Sequence, residues 1–298
     1  MKRIKTTAFA IFSAAILSVS LFSCSNEDAT TTSNTTEQTT MAAKTISNSE
    51  IMNYDYEEIG IVHNQALEYV YNDLLKKGPI EANSYVMSHS QDFLVESIGS
   101  FLNGTRFVNN PDNASIIKQY TLSNTDFLSL NKRKDFISKI YEYKNDLGSE
   151  ALNVSNEIDN QIDTFTLGSS SIGEYENALR SKIGKLNNLL ERQEISQTEY
   201  AVLRAKLSVA IHSGQYWNTN IVKWGNLTTF ENKPTSWFGR WWRKAAKIDG
   251  EGAAEGWKNS DKQGGERAGD ALDSGIASSA AAAFVMLIDL SAGVDSTK

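Results

Sequence analysis

The sequence predicts an all-α fold, an antiparallel helical bundle that ends in a Trp-rich and Gly/Ala-rich C-terminal region. From residue 51 onward, apolar residues recur every three or four positions, the spacing of a helix with one buried face. The chain has only three prolines, so long stretches are free to be helical. It has no convincing run of alternating apolar and polar residues, the pattern that indicates a half-buried strand.

The first 23 residues have the parts of an export signal. Lys2, Arg3 and Lys5 give it a basic start, and residues 8–22 are an uncharged, mostly apolar stretch. Fifteen residues are too few to span a bilayer comfortably, since a membrane helix needs about 20. This pattern predicts an exported protein whose signal peptide, residues 1–23, is removed.

The end of this segment resembles the lipobox of bacterial lipoproteins. Residues 21–24 read Leu-Phe-Ser-Cys, with a small residue before the cysteine, although Phe22 is larger than usual. The resemblance implies diacylglycerol on the sulfur of Cys24, cleavage before it and acylation of the new amino group. Several acyl chains anchor a protein stably, where one is marginal. The alternative is an ordinary secretory signal followed by a chance cysteine.

The predicted tether follows the anchor. Residues 24–49 are rich in Thr, Ser and Asn and hold too little apolar surface to offset the entropy of ordering, so we expect a disordered segment. Its first residues after Cys24, Ser-Asn-Glu-Asp, resemble the surface-export signal of Bacteroidota lipoproteins, although any polar tether has a similar composition. The expected location is the outer membrane, reached through the lipid anchor, with the domain exposed at the cell surface.

Helical spacing then predicts a domain over residues 50–235. A first helix covers 59–74 and ends at Lys77-Gly78-Pro79, a basic residue followed by two helix terminators. Further helices are indicated over 86–101 and 132–147, with a turn or loop at 109–113 and a weaker pattern over 149–163.

The strongest local signal is a helical hairpin over residues 171–213. Ser171 with Glu174, and Ser196 with Glu199, have the spacing of capping boxes that begin two helices. The connection between the two helices is about five residues, which forces them to be antiparallel. His212 then lies near the expected end of the second helix, where it would interact with the helix C-terminus.

The predicted C-terminal region, residues 236–298, packs on the same domain. Its segment 236–247 carries four positive charges and no negative one, and helical spacing puts Arg240, Arg243 and Lys247 on one face. Trp beside Arg suits a membrane interface, whereas the alternative is that the Trp side chains cap the helical core. This alternative is favoured; under the first interpretation, the residues that would contact a membrane or a partner are Trp237, Arg240, Trp241, Trp242 and Arg243.

Small residues dominate the remainder of this region. Gly252 with Gly256, and Gly265 with Gly269, have GxxxG spacing, which permits close helix contact. The uncharged stretch 274–288 has 15 residues, which is short for a membrane span. A tightly packed core helix is therefore favoured over a pore-forming segment.

The charge of the chain excludes one class of partner. The formal net charge is −7, and residues 1–23 hold three of the 29 basic residues and no acidic one, so the mature chain carries −10. Nucleic-acid binding needs clustered Lys and Arg over a basic domain, so we predict no nucleic-acid partner. The expected partners are the membrane, through the anchor, and an envelope protein or extracellular ligand.

The residue patterns give no catalytic site, no metal site and no cofactor. The histidines lack metal-ligand spacing, and the single cysteine is assigned to the anchor. His63 and Asn64 are either a polar pair facing a pocket or, as is more common, a structural pair bonded to a neighbouring carbonyl. The adjacent Glu57 and Glu58 are expected to be solvated charge on a helix surface.

Two short motifs resemble a group of uncharacterised secreted lipoproteins of Flavobacterium-like Bacteroidota. They are Gly-Ile-Val-His-Asn at 60–64 and, at 208–217, Ser-Val-Ala leading into Ser-Gly-Gln-Tyr-Trp, combined with the Gly/Ala-rich C-terminus. The likeness covers most of residues 54–290. It implies the compartment but no activity, because none is established for the group.

These observations together predict a cell-envelope lipoprotein with a non-enzymatic binding or interaction module. A membrane-active C-terminal region, similar to a bacteriocin or pore former, is the first alternative. A hydrolase with an unrecognised site is the second.

Overall fold

The computed structural model describes residues 47–78, 88–105, 107, 113–165, 171–228, 235–262 and 264–292, with backbone alone at 235–237, 264–265 and 291–292. The predicted signal peptide, Cys24 and almost all of the tether lie outside the described residues, as does most of the loop predicted at 109–113. The described residues form helices and no strand, which confirms the all-α prediction.

The helices, in chain order, are α1 (Asn48–Met52), α2 (Tyr56–Lys77), α3 (Ser90–Leu102), α4 (Asn113–Gln119), α5 (Leu130–Lys139), α6 (Ser149–Thr164), α7 (Ile172–Glu191), α8 (Gln197–Gly225), α9 (Thr235–Asn259) and α10 (Gly264–Ala292), with short 3-10 turns at Asp126–Leu128 and Glu142–Asp146. Within residues 45–298, the described helices form one compact unit, so the C-terminal helices belong to the same body as the predicted 50–235 domain.

The predicted helix boundaries are correct where a local signal sets them. Capping boxes begin α7 at Ser171 and α8 at Ser196, where each side chain accepts a hydrogen bond from a backbone N–H. Helix α2 ends at Lys77, and Gly78 follows with φ of 88°, a conformation that favours glycine. These three signals need only neighbouring residues, so they can be detected in the sequence.

Two boundary predictions were wrong. The helix predicted over 132–147 ends at Lys139 and is followed by a separate 3-10 turn at Glu142–Asp146. The second helix of the hairpin does not stop near residue 213 but runs to Gly225. Trp217, Ile221 and Trp224 continue the apolar spacing and are buried, so packing extends the helix beyond His212 and Gly214. His212 is therefore in the middle of α8 and not at its C-terminus.

Helix α10 is the centre of the bundle. It packs against α9, α2, α8, α3 and α4, and every residue from Ala268 to Leu290 is buried. The helix is longer than the uncharged stretch that we considered too short to span a membrane. In the described part of the chain, Glu266–Leu290 is the one segment long and apolar enough to cross a bilayer, with mean hydropathy 1.7. Because 94% of the apolar stretch that meets this criterion is buried, α10 is a core helix in this fold.

Glycines bring α9 and α10 into close contact. A Cβ added at Gly256 lies 1.7 Å from the Ser274 Oγ, and one at Gly252 lies 2.5 Å from the Ser278 Oγ. The contact predicted from the first GxxxG pair is confirmed. In the second pair, a Cβ at Gly269 meets nothing nearer than 3.7 Å, so that glycine is not required by close packing.

The described Trp side chains are all in the interior. Trp241 and Trp242 are each 1% exposed, and Trp217, Trp224 and Trp257 are also buried. The side chain of Trp237 lies outside the described residues. Trp241 and Trp242 therefore belong to the core, as the alternative interpretation had it.

Candidate functional site

The basic half of the same segment lines a surface cavity of about 330 Å³. Helix α9 contributes Arg240, Arg243, Lys244 and Lys247, whose spacing of three, four and seven residues puts them on neighbouring turns. The other lining residues are Ile137 on α5, Tyr141, Asp163 on α6, and Ile248. We call this the cationic cavity. The face predicted to hold Arg240, Arg243 and Lys247 is thus the face that lines it.

Three contacts fix the cationic side chains. The Arg243 Nη1 donates a hydrogen bond to the carbonyl of Phe165 at 2.8 Å. The Lys247 Nζ donates to the Asp163 Oδ2 at 2.6 Å. The Lys244 Nζ lies 5.0 Å from the centroid of the Trp241 ring, a cation–π distance. The buried Trp241 and Trp242 behind these residues hold α9 in place.

The cavity is electrostatically unlike the chain as a whole. Among the described residues, four cations and one carboxylate line it, whereas the complete chain has 36 acidic and 29 basic residues. The four cationic side chains are half-buried, so solvent screens them less than it screens fully exposed charge. A concave cationic surface on an acidic protein concentrates anions at that position.

A second polar cluster surrounds His63, which is fully buried on α2. Its Nδ1 lies 3.2 Å from the side-chain oxygen of Asn64, and its Nε2 lies 3.8 Å from the Asp249 Oδ2. Asp249 Oδ2 also accepts hydrogen bonds from the Ser213 hydroxyl and from the Trp217 Nε1, the latter at 2.8 Å. The cluster joins α2, α8 and α9 in the interior.

Burial sets the protonation of this cluster. It lowers the pKa of His63 to about 4 and raises the pKa of Asp249 to about 7, because both charged forms lose hydration. His63 is therefore neutral at pH 7.

Asn64 donates a hydrogen bond to the carbonyl of His212 at 2.8 Å and so links α2 to α8. The pair predicted at His63 and Asn64 has structural contacts, and neither residue lines the cationic cavity.

The raised pKa of Asp249 predicts a pH-dependent effect of Asp249→Asn. A raised carboxyl pKa stabilises the fold below about pH 4, and that stability is lost as the pH rises through about 7. Asparagine cannot ionise, while its oxygen still accepts from Ser213 and Trp217. We expect the free energy of unfolding of the variant minus that of the original chain to be about 2 to 3 kcal/mol larger at pH 8 than at pH 5, so the variant gains relative stability as the pH rises. Urea titrations at the two pH values measure this, and an equal difference at both would contradict it. The lowered pKa of His63 acts in both proteins and cancels in the comparison.

The third polar group is a buried ionic network around Lys206 of α8. The Lys206 Nζ contacts the Asp159 Oδ1 at 2.6 Å, the Glu251 Oε1 at 2.8 Å and the Ser155 Oγ at 2.9 Å. Lys144 bridges the same two carboxylates, at 2.5 Å and 3.0 Å. Two cations thus face two carboxylates, with Lys206 and Glu251 fully buried.

Opposing influences act on the carboxyl groups of this network. Burial raises the pKa of Glu251, and its proximity to Asp159 acts in the same direction. Burial also opposes ionisation of Asp159, but the neighbouring Lys206 and Lys144 hold the pKa of that carboxyl well below its usual range. The paired charges and the burial of Lys206, Asp159 and Glu251 indicate a structural network that fixes α6, α8 and α9 together.

Glu57 and His212 were assigned wrongly from the sequence. Glu57 is partly buried and accepts two hydrogen bonds from Arg180 of α7, at 2.9 and 3.0 Å, and its Oε2 lies 2.9 Å from the His212 Nε2. The contact with His212 and the Arg180 guanidinium lower the pKa of Glu57 to about 2. This carboxylate links α2, α7 and α8 and is not simply solvated.

Sequence patterns could not reveal the buried charges. Lys206, Asp249 and Glu251 are single polar residues whose partners lie on other helices, more than 30 positions away along the chain. Only Lys206 carries a weak signal, because it lies within a run of α8 that is otherwise almost wholly apolar and buried.

No group of His, Cys, Asp or Glu among the described residues has the arrangement of a metal site. The resemblance at residues 60–64 and 208–217 stays a prediction, because no family model, curated protein or solved structure matches this chain.

Proposed function

We propose that this chain is a lipid-anchored protein of the cell envelope whose helical domain binds an anionic partner without catalysing a reaction. The anchor is the acylated Cys24, and the expected location is the outer membrane, with the domain at the cell surface. The observation that carries the binding function is the excess of positive charge in the cationic cavity of an otherwise acidic chain.

The structure of the cavity supports binding in two ways. Its cations project from α9, a helix that the buried Trp241 and Trp242 hold in the core. Side chains on a rigid element lose less entropy when they bind, so this arrangement is preorganised for an anion. The cavity volume is also within the range of small-molecule sites, which begins at about 300 Å³.

The placement of the other polar groups supports a non-enzymatic role. The cluster of His63, Ser213 and Asp249 combines a base, a hydroxyl and a carboxyl group, but all three side chains are fully buried. A substrate must come within hydrogen-bond distance of a catalytic base. Access to this cluster would require α2, α8 and α9 to separate.

One experiment tests the anchor and the binding function with the same proteins. The chain is produced with its own first 23 residues in a Gram-negative host, together with Cys24→Ser. We expect incorporation of a labelled fatty acid and sedimentation with membranes for the original chain, and neither for the variant. An unmodified thiol in the purified original chain would overturn the anchor.

The binding function is tested on the same material in a neutral detergent. The acidic chain should bind a dextran sulfate resin at low salt, and the double variant Arg240→Gln/Arg243→Gln should elute at lower salt. The matched control is Lys76→Gln/Lys77→Gln, which removes the same charge from the end of α2, where the Lys76 side chain is 72% exposed. Failure to bind, or an equal shift in the control, would overturn the function.

A further inference from the structure

We propose that the cationic cavity is a binding site for a phosphate ester, with the phosphate among Arg240, Arg243 and Lys247 and the organic group against the apolar wall. This inference rests on the proposed function and names the ligand class of the same site. It depends on the cationic residues of the lining, on the uncharged residues of the lining and on the position of Asp163.

The cationic lining favours a multiply charged anion. Two arginines and two lysines are among the described residues that line the cavity, together with one carboxylate. A phosphate monoester carries close to two negative charges at neutral pH and has three acceptor oxygens. Guanidinium groups match these oxygens with paired N–H donors, and two of the four cations are arginines.

The wall of the cavity favours an ester over a bare anion. Ile137, Ile248 and Tyr141 add uncharged surface to the lining of the cavity. An inorganic ion would leave this surface without a contact. An organic group attached to the phosphate would cover it and remove apolar surface from water.

Asp163 is an internal competitor for the ligand. Its carboxylate accepts a hydrogen bond from the Lys247 Nζ at 2.6 Å, and the Lys247 side chain is 20% exposed. The Asp163 side chain is 52% exposed, so it can turn to solvent when a phosphate takes its place. Because the carboxylate both occupies Lys247 and repels an anion, removing its charge should tighten binding.

The test is calorimetric titration of the full chain, in neutral detergent at low salt, with glycerol 3-phosphate. We expect saturable binding to the original chain and affinity at least about tenfold weaker for Lys247→Gln, since a hydrogen bond to a charged group contributes about 1.5 to 3 kcal/mol. Asp163→Asn should bind about three- to tenfold more tightly.

The matched control is Asp146→Asn. Asp146 pairs with Lys258 at 2.9 Å, its side chain is 60% exposed, and it does not line the cavity. This substitution removes the same charge from a similar surface pair, and we expect no change in affinity. Thermal unfolding of each variant checks that the fold is retained.

A second titration, with phosphatidic acid in the same micelles, distinguishes the two sources of a phosphate ester. Binding of both probes, or of either one alone, supports the site and identifies the source as a soluble ester or a lipid headgroup. Absence of both, with dextran sulfate binding intact, overturns the phosphate ester and leaves the proposed function. Loss of resin binding as well removes both proposals. Binding that Lys247→Gln does not weaken, or that Asp163→Asn does not tighten, overturns the site as placed.

Discussion

Replacement of Lys206 by methionine is expected to lower the free energy of unfolding by about 3 to 5 kcal/mol. The substitution keeps the length of the side chain but leaves Asp159 and Glu251 with only the Lys144 cation between them. Both carboxyl groups are buried, so the uncompensated charge has little access to water. Urea unfolding at pH 7, followed by the fluorescence of the buried Trp residues, measures the loss.

Two further variants distinguish buried charge from the loss of any lysine. Lys185→Met removes a cation that pairs with Glu157 at 2.6 Å but has a 40% exposed side chain, so we expect a loss below about 1 kcal/mol. Lys206→Met combined with Glu251→Gln removes one charge of each sign and should recover part of the stability. A loss from Lys206→Met no greater than that from Lys185→Met would show that the network contributes little.

Gly256→Ala is expected to destabilise the bundle by about 3 kcal/mol, at the upper end of the usual range for overpacking. The added Cβ would lie 1.7 Å from the Ser274 Oγ and 2.7 Å from the backbone carbonyl of Asp270. A serine hydroxyl can rotate away, but a helix carbonyl cannot, so α9 and α10 must separate. Urea unfolding gives the change in free energy.

Gly184→Ala is the matched control for this substitution. Gly184 is an exposed residue within α7, and a Cβ added there meets no atom within 4 Å. Alanine should stabilise this position by about 0.5 to 1 kcal/mol, because it loses less backbone entropy on folding. The two Gly→Ala changes should therefore have opposite signs, and two gains would contradict close packing at Gly256.

Local signals account for what the sequence predicted of the fold. The boxes at Ser171 and Ser196 and the Gly78 terminus each depend on a few adjacent residues, and the structure has them where the sequence placed them. The predicted end of the hairpin at residue 213 is followed by Gly214, and glycine is a residue that often ends helices. A Cβ at Gly214 would lie 2.3 Å from the ring of Tyr175, so this glycine serves packing between α7 and α8 and not the end of a helix.

The candidate site was predictable only in part, for the same reason. Helical spacing brings Arg240, Arg243 and Lys247 to one face, and no tertiary information is needed for that. Asp163 and Tyr141 enter the cavity from segments about 80 to 100 residues earlier, and nothing near them in sequence indicates that position. The interior location of Trp241 and Trp242 likewise depends on which helices cover them.

The position of α10 along the chain has a consequence for biogenesis. Helices α2, α3, α4, α8 and α9 all pack on α10, and all are synthesised before it. While only these earlier helices have emerged, the apolar surfaces that α10 covers in the finished bundle stay unprotected. For the exported protein proposed above, we expect an incompletely closed bundle to pass more readily through a secretion channel, so that the compact form follows the delivery of α10.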